Sequence, residues 1–416
     1  MQELNGILKD SELKFKKILA KQNSHKLNEG CFVYELEADS TISSEFILLM
    51  HYLGEIDLDL QNKIVVYLLS KQNKEGGWPL FYDGDSDISA SVKTYYALKL
   101  SGINLNSRSM KKAKKYILAN GGAEKANVFT KISLALFGQI SWNVVPFMPI
   151  EIIKFPKWFP FNIYKISYWS RTVLVPLLII MHKKPVANNP NSISINEVFL
   201  KPSHTLKKAK EIPNKSIMSK FFLHLDQIAR KLFPLLPNNI KKKSIEDATQ
   251  WIIKRLNKKD GLGGIFPAMV NSLIALKLDE HKRFSNEIKI AKIAIKNLII
   301  EKKDLAYCQP CVSPVWDSGW MGHVLLENNK NVDDLVNWFL DKEIKTKGDW
   351  CVNNEKLRPG GWAFQFNNES YPDVDDTALV GMFLDRYNKL KKNNLVKECI
   401  DRTRLWIISM QSKNGG

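Results

Sequence analysis

Two apolar, helix-like runs of the chain are separated by the turn sequence Gln72-Asn73-Lys74-Glu75-Gly76-Gly77-Trp78. The flanking runs, near residues 60–71 and 87–100, carry apolar residues at three- and four-residue spacing, which predicts amphipathic helices. Glycines commonly end a helix and turn the chain. The stretch therefore predicts a helical hairpin in which the tryptophan packs on the turn.

The same layout returns three times later in the chain. It recurs in residues 251–261, 338–350 and 406–416, with Asn257, Glu343 and Gln411 in the glutamine position. Leu262 replaces the tryptophan of the second copy, and Trp350 supplies it in the third. Helical hairpins that recur in this way pack side by side, each burying a face that its neighbour completes. Since strand-like alternation is nearly absent, the sequence predicts an all-α fold in which these glutamines and tryptophans are structural.

Three carboxylates crowd into the stretch Tyr371-Pro372-Asp373-Val374-Asp375-Asp376-Thr377-Ala378. Proline fixes the start of the following apolar helix, so Asp373 falls at its N-cap. Crowded like charges raise at least one pKa, and a carboxyl that stays protonated at neutral pH is a Brønsted acid. An acidic helix cap without chemistry is the alternative interpretation.

Glycines and aromatic residues precede these acids in the segment 358–366, Arg-Pro-Gly-Gly-Trp-Ala-Phe-Gln-Phe. Aromatic faces attract positive charge through the ring quadrupole. They also exclude water, which would quench a cation. The combination favours an apolar substrate that becomes cationic during the reaction.

Four blocks in this order resemble the bacterial squalene–hopene cyclases: residues 311–317, 348–350, 359–364 and 371–378. The resemblance continues more loosely along most of the chain, and the glutamine–tryptophan turns are similar to the QW repeats of triterpene cyclases. The Asp-x-Asp-Asp pattern alone is shared with class II diterpene cyclases. Its combination with the Trp-Asp and Pro-Gly-Gly-Trp-Ala-Phe blocks favours the squalene–hopene cyclases.

The resemblance implies an α/α-barrel fold of helical-hairpin repeats, with two α-barrel domains in the full family. Residues 1–36 would form an N-terminal arm of the catalytic barrel, 37–304 an inserted barrel, and 305–416 the first part of the catalytic barrel. Members of the family continue well past residue 416 and supply a further histidine and the rest of that barrel. We therefore expect the 416-residue chain to be a fragment, and inactive or poorly folded in isolation.

The resemblance also implies a reaction, the proton-initiated polycyclisation of squalene to hopene or hopanol. Asp375 would donate the proton, and Asp373 and Asp376 would hold it protonated. The cation would be stabilised by three aromatic residues and a water-ordering glutamine, which are Trp169, Trp316, Phe364 and Gln365. Neither a metal nor a cofactor is implied.

The charge balance, 61 Lys and Arg against 43 Asp and Glu, admits nucleic acid or an anionic membrane as partner. No known nucleic-acid-binding signature is present, so we predict no nucleic-acid partner. Residues 216–233 place bulky apolar residues on one stripe, and Lys241-Lys242-Lys243 follows. This pattern fits a half-buried helix or one in the membrane interface. The resemblance favours the second, a monotopic protein that takes squalene from the lipid.

Other features bound the cellular setting. No apolar run reaches the ~18 residues of a spanning helix. The five cysteines form no disulfide framework, and Cys308–Cys311 is a lone CxxC. The sequence thus predicts a peripheral protein on the cytoplasmic face of a bacterial membrane, and leaves a homodimer open. Rival interpretations are a class II cyclase for another polyprenoid, and a helical-repeat scaffold or inactive cyclase fragment.

Overall fold

A computed structural model describes residues 14, 17, 26, 27, 29–206, 217–279, 281–353 and 356–416, without the side chains of 217–223. Much of the predicted arm at residues 1–36 and the first apolar side chains of the 216–233 stripe fall outside this description. The described residues belong to two compact units, one of residues 36–311 and one of residues 1–35 with 312–416. The predicted boundaries fall after residues 36 and 304, whereas the two units divide after residues 35 and 311.

The larger unit is built from helices that are mostly joined by short turns, with longer connecting segments at residues 137–167 and after residue 183. Its helices are α1 (Ser40–Leu53), α2 (Leu58–Ser70), α3 (Ile88–Leu100), α4 (Arg108–Ala119), α5 (Val128–Leu136), α6 (Tyr168–Lys183), α7 (Ile217–Leu232), α8 (Asn238–Ile253), α9 (Phe266–Lys277) and α10 (Ser285–Lys296). Three antiparallel pairs of very short strands lie in the turns: β1 (Trp78–Pro79) with β2 (Ser86–Asp87), β3 (Leu256–Asn257) with β4 (Gly261–Leu262), and β5 (Ile299–Glu301) with β6 (Ala306–Cys308).

The turn between α2 and α3 shows how one repeat is held together. Trp78 is fully buried, and its indole Nε1 donates to the carbonyl of Leu68 at 2.7 Å. Gln72 donates to the carbonyls of Gly76 and Ser109, at 2.8 and 2.9 Å, and so ties the turn to α4. Gly76 has φ +95, and a Cβ there would lie 2.8 Å from the backbone of Lys112. The motif therefore has a structural role, as predicted, because it holds the turn against α4.

Helices α1, α3, α5, α6 and α9 turn one face each toward a common cavity of about 370 Å³ inside the larger unit. Its wall is mainly apolar, and it also carries the ion pair between Lys93 of α3 and Glu45 of α1. A buried lysine is tolerated only when it is paired, so Glu45 accounts for the position of Lys93. These five helices thus line a shared cavity.

The smaller unit contains α11 (Pro314–Glu327), α12 (Asp333–Lys342), α13 (Val374–Lys391) and α14 (Asn394–Met410). Its core is formed by buried side chains of all four helices together with Trp362 and the N-terminal residues Cys31 and Phe32. The backbone of Phe32 exchanges hydrogen bonds with the hydroxyl of Ser318 at 2.8 and 3.2 Å. The N-terminal segment therefore packs with residues almost three hundred positions away in sequence.

These elements confirm the prediction of an all-α fold made of helical hairpins. Within the described residues, no helix combines the length and the hydropathy that crossing a bilayer requires.

The structural role of Trp78 predicts that Trp78→Phe lowers the free energy of unfolding of the larger unit by about 2–3 kcal/mol. The reason is that a buried hydrogen bond is lost and a void is left. The change is measured as a lower urea midpoint by circular dichroism. Trp158→Phe is the matched control, since Trp158 is 77% exposed. Equal midpoints for the two variants would contradict a structural role for the buried indole.

Candidate active site

The turn that leads into α13 repeats the geometry of the turn that leads into α3. Trp362 is fully buried, and its Nε1 donates to the carbonyl of Phe339 at 2.8 Å. Its backbone N–H donates to Thr377 Oγ1 at 3.0 Å, as that of Trp78 donates to Ser91 Oγ. Asp373 then pairs with Trp362 through a backbone bridge, as Asp87 pairs with Trp78. A repeat unit of the fold therefore positions the start of the acid helix.

This tryptophan differs from the one that the sequence pattern selected. The pattern assigned Trp350 to the third repeat, whereas Trp362 makes the equivalent contacts and Trp350 instead packs edge-on against Trp406, with ring centroids 6.1 Å apart. The segment between Gly348 and Gly360 interrupts the turn, so the regular spacing counted from Glu343 stops at the wrong tryptophan.

Glycine is required where the turn meets the acid helix. A Cβ on Gly361 would lie 2.7 Å from Thr377 Oγ1, and a Cβ on Gly77 would lie 2.7 Å from Ser91 Oγ in the larger unit. Gly360 has φ +152 and approaches the backbone of Arg402, where a Cβ would be 2.9 Å away. Any side chain at Gly361 would displace the hydroxyl that accepts from Trp362.

The three carboxyls of the motif occupy different environments at the N-terminus of α13. Asp373 is the N-cap, and its side chain accepts from the backbone N–H of Asp375 at 3.0 Å. Asp375 is exposed in the first turn. Asp376 is 1% exposed, and its Oδ1 is buried with no hydrogen-bond partner among the described residues. Asp375 is thus the most exposed of the three carboxyls, Asp373 is half-buried, and Asp376 is the desolvated member.

Burial decides the protonation of Asp376. It raises the pKa of Asp376 to about 8, and the neighbouring charges of Asp373, Asp375 and Asp317 add to this rise. Burial also raises the pKa of Asp373, although backbone N–H groups at the helix start oppose it. A helix N-terminus favours a carboxylate by only ~0.3–1 kcal/mol, and one pKa unit is worth ~1.4 kcal/mol. The cluster therefore holds a proton at neutral pH.

Asp317 is a fourth carboxyl. It ends the block of residues 311–317, and the sequence pattern indicated no role for it. It lies in the first turn of α11 and accepts from the backbone N–H of Tyr34 at 2.9 Å and from Ser313 Oγ at 3.1 Å. Burial raises its pKa, and its charge raises that of Asp376. Its position directly after Pro314-Val315-Trp316 is a helix-start signal comparable to that of Asp373.

The predicted aromatic residues are divided between the two units. Trp316 is half-buried at the start of α11, edge-on to Trp320 with centroids 6.0 Å apart. Phe364 is half-buried and Gln365 is buried in the segment that joins Trp362 to α13, and Gln365 accepts from Asn368 at 3.3 Å. Trp169 belongs to the larger unit, half-buried at the start of α6 and edge-on to Tyr168. The smaller unit thus contains every predicted site residue except Trp169.

Chemically, the smaller unit presents one accessible carboxyl beside a buried, protonated one, next to a turn rich in aromatic side chains. Such a set can store a proton in a dry environment and expose an acid at its edge. The role of each predicted residue remains a prediction.

The raised pKa of Asp376 predicts a pH-dependent stability. Between its ordinary value of 3.8 and about 8, the folded state holds a proton that the unfolded state has lost. Stability therefore falls as pH rises, by up to ~1.4 kcal/mol per unit, and Asp376→Asn removes this slope. Urea unfolding from pH 5 to pH 8 measures the difference from the unmodified chain. Asp341→Asn, at an exposed carboxyl of α12, is the control. A constant difference across this range would show that Asp376 is ionised.

Comparison with known proteins gives the family of the chain. Residues 16–304 match the family model of the squalene–hopene cyclase N-terminal domain, and residues 312–416 match that of the C-terminal domain. The chain is 44% identical to the squalene–hopene cyclase of Zymomonas mobilis over 93% of its length, and 43% identical to that of Schizosaccharomyces japonicus over 94%. The squalene–hopene cyclase of Bradyrhizobium diazoefficiens is 44% identical, again over 94% of the chain.

The alignments cover 61%, 61% and 60% of these three relatives, so the chain spans about three fifths of their length. The two family models together cover nearly all of the chain and carry the predicted α/α-barrel architecture with them. The chain belongs to the squalene–hopene cyclase family.

Proposed function

We propose that this chain carries the proton-donating part of a squalene cyclase that forms hopene- or hopanol-type products. The observation that supports this most is Asp376, a buried carboxyl whose pKa is raised to about 8 beside the exposed Asp375. The proposed substrate, squalene, is taken from the names of the relatives. Squalene has no leaving group, so only protonation of an alkene can start its cyclisation, and this needs an acid in a dry site.

In the proposed first step, Asp375 takes up the proton that the carboxyl cluster holds. That proton then leaves a carboxyl oxygen of Asp375 and bonds to a carbon of the terminal alkene. The π electrons form the new C–H bond and leave a tertiary cation, while Asp375 becomes a carboxylate. Asp375 is the donor because it is the accessible member of the motif. Asp376 and Asp373 act as positioning residues that keep the first turn of α13 protonated and ordered.

Ring closures then move the positive charge along the substrate until a proton is lost or water adds. We assign Trp169, Trp316 and Phe364 to the stabilisation of these cations through their ring faces, each worth ~0.5–2 kcal/mol. Gln365 is assigned to the ordering of water near the acid. The substrate folds against a preformed wall, which lowers the entropic barrier to successive closures.

The proposed acid predicts that Asp375→Asn lowers squalene turnover by at least about 10³-fold, because the amide has no proton to give. The protein encoded by the complete gene is incubated with squalene in detergent, and products are quantified by gas chromatography. Asp341→Asn is the control for a lost carboxylate. Turnover by Asp375→Asn at the rate of the unmodified protein would disprove the assignment, and a scaffold protein would show none in either form.

We further propose that the larger unit attaches peripherally to the cytoplasmic face of a bacterial membrane and draws squalene from the lipid. Several exposed apolar side chains support this: Trp158, Phe161, Ile228, Leu232 and Leu235. Phe155 joins the segments that carry them, since its ring lies 4.6 Å from that of Phe159 and 6.5 Å from that of Phe233. Such a patch beside lysines is typical of an interfacial membrane contact.

The patch predicts that Trp158→Ala with Leu235→Ala weakens binding to phosphatidylglycerol-containing vesicles about tenfold or more, because each side chain contributes ~1.5–3 kcal/mol when it leaves water. Co-sedimentation measures the bound fraction. Phe81→Ala with Tyr82→Ala is the matched control, since these residues are 72% and 91% exposed on the turn between β1 and β2. Equal losses in both double variants would exclude a specific membrane face.

A further inference from the structure

One ion pair in the smaller unit, between a buried carboxylate and a partly exposed arginine, is not used by the proposed reaction. Glu343 follows the last residue of α12, and its side chain is 0% exposed. Arg402 of α14 binds it with two parallel hydrogen bonds, Nε to Oε1 at 2.7 Å and Nη2 to Oε2 at 2.8 Å. A buried carboxylate that loses its partner costs several kcal/mol, so this carboxylate depends on Arg402.

The pair replaces the arrangement found in the first and fourth repeats. Gln72 and Gln411 each donate from Nε2 to the carbonyl four residues later, at 2.8 Å in both cases. A glutamate carboxylate cannot donate, so Glu343 cannot make this contact. Instead, the carboxylate of Glu343 accepts two hydrogen bonds from Arg402, which lies on the neighbouring helix α14 and not in the turn.

A continuous set of backbone contacts joins this pair to the acid helix. The N–H of Ile344, next to Glu343, donates to the carbonyl of Gly361 at 2.8 Å. Gly360 lies against the backbone of Arg402 itself. The carbonyl of Trp362 then accepts from the N–H of Asp373 at 2.7 Å. The segment 360–362 is therefore held between the ion pair on one side and the N-cap of α13 on the other.

We propose that Glu343 and Arg402 are a positioning pair for the carboxyl cluster. Their ion pair fixes the segment 360–362, and the buried indole of Trp362 keeps water from the first turn of α13. Loss of the pair admits water to Asp376. Because burial is the main cause that raises its pKa, hydration lowers that pKa toward the ordinary range.

Among the described residues, few charged groups lie near the Glu343–Arg402 pair or near Asp376. Lys345 lies 3.6 Å from Glu343, and the thiol of Cys399 stays neutral because burial, helped by Glu343, raises its pKa to about 12. Glu398 adds a weaker charge beside Arg402. Asp376 is faced by three carboxyls, Asp373 and Asp375 on its own helix and Asp317 on α11. Neither Glu343 nor Arg402 is among the charges that raise the pKa of Asp376. A change in that pKa when the pair is altered therefore reports hydration of Asp376.

The test follows the Asp376 carboxyl by ¹³C NMR in protein labelled at the aspartate carboxyl carbon, assigned with the Asp376→Asn spectrum. Arg402→Met and Arg402→Lys are expected to lower the pKa of Asp376 by at least about one unit. The double change Glu343→Gln with Arg402→Met is expected to restore it, because glutamine can donate as Gln72 does and no buried charge is left unpaired.

Arg404→Met is the matched control, two residues along α14, where an exposed pair with Asp385 spans 3.2 Å. An unchanged pKa in folded Arg402→Lys would overturn the proposal, and so would an equal shift in the control. If Arg402→Met does not fold, Arg402→Lys and the double variant still decide.

A second readout rests on the proposed function. In the protein encoded by the complete gene, Arg402→Lys is expected to lower kcat for squalene about tenfold with KM changed less than about twofold, since positioning affects the acid and not substrate binding. A fall confined to KM would contradict the positioning role. Absence of turnover in the unmodified enzyme would refute the proposed function alone, because the NMR titration does not depend on activity.

Discussion

The backbone bridge between Trp362 and Asp373 is the contact on which the candidate site depends. It fixes where α13 starts, and therefore which carboxyl of the motif is buried and which is exposed. The bridge in turn needs the buried indole, the hydroxyl of Thr377 and a glycine at position 361. A helix that began one residue earlier or later would rotate Asp376 by about 100° and remove it from the interior.

Two opposing effects meet at this helix start, and burial prevails. The N-terminus of a helix stabilises a carboxylate, and Asp373 benefits because its side chain accepts from the N–H of Asp375. Asp376 also lies in the first turn of α13, where burial outweighs the same field and leaves Oδ1 without a hydrogen-bond partner among the described residues. Members of one motif thus differ in burial because of their position on the helix, and a single turn presents an accessible carboxyl beside a desolvated one.

The sequence predicted the helical hairpins well because their signals are local. Apolar spacing, glycine stops and N-cap residues determine α2, α3 and α13 within a few residues, and the acid motif stands at a helix start as expected. Trp362 was missed because the interrupting segment between Gly348 and Gly360 breaks a fixed spacing. Arg402 and Asp317 were missed for a different reason: each acts through a partner 59 residues away or farther, Glu343 in one case and Tyr34 in the other. A single sequence carries no signal for such pairs.

The repeat itself explains why an acid could arise at this point of the fold. In the larger unit, Asp87 starts α3 in the same bridge, and Ser89 and Ala90 stand where Asp375 and Asp376 stand in α13. The framework of the turn is the same in both, a buried tryptophan, a paired glycine and a hydroxyl acceptor on the following helix. Ser89 and Ala90 are both buried, whereas Asp375 is exposed and only Asp376 is buried. The buried position of Asp376 is therefore shared with the repeat, and the exposure of Asp375 is particular to α13. The carboxyl cluster of the smaller unit is therefore a substitution within a structural repeat, with Asp376 in the buried position that Ala90 occupies in the larger unit.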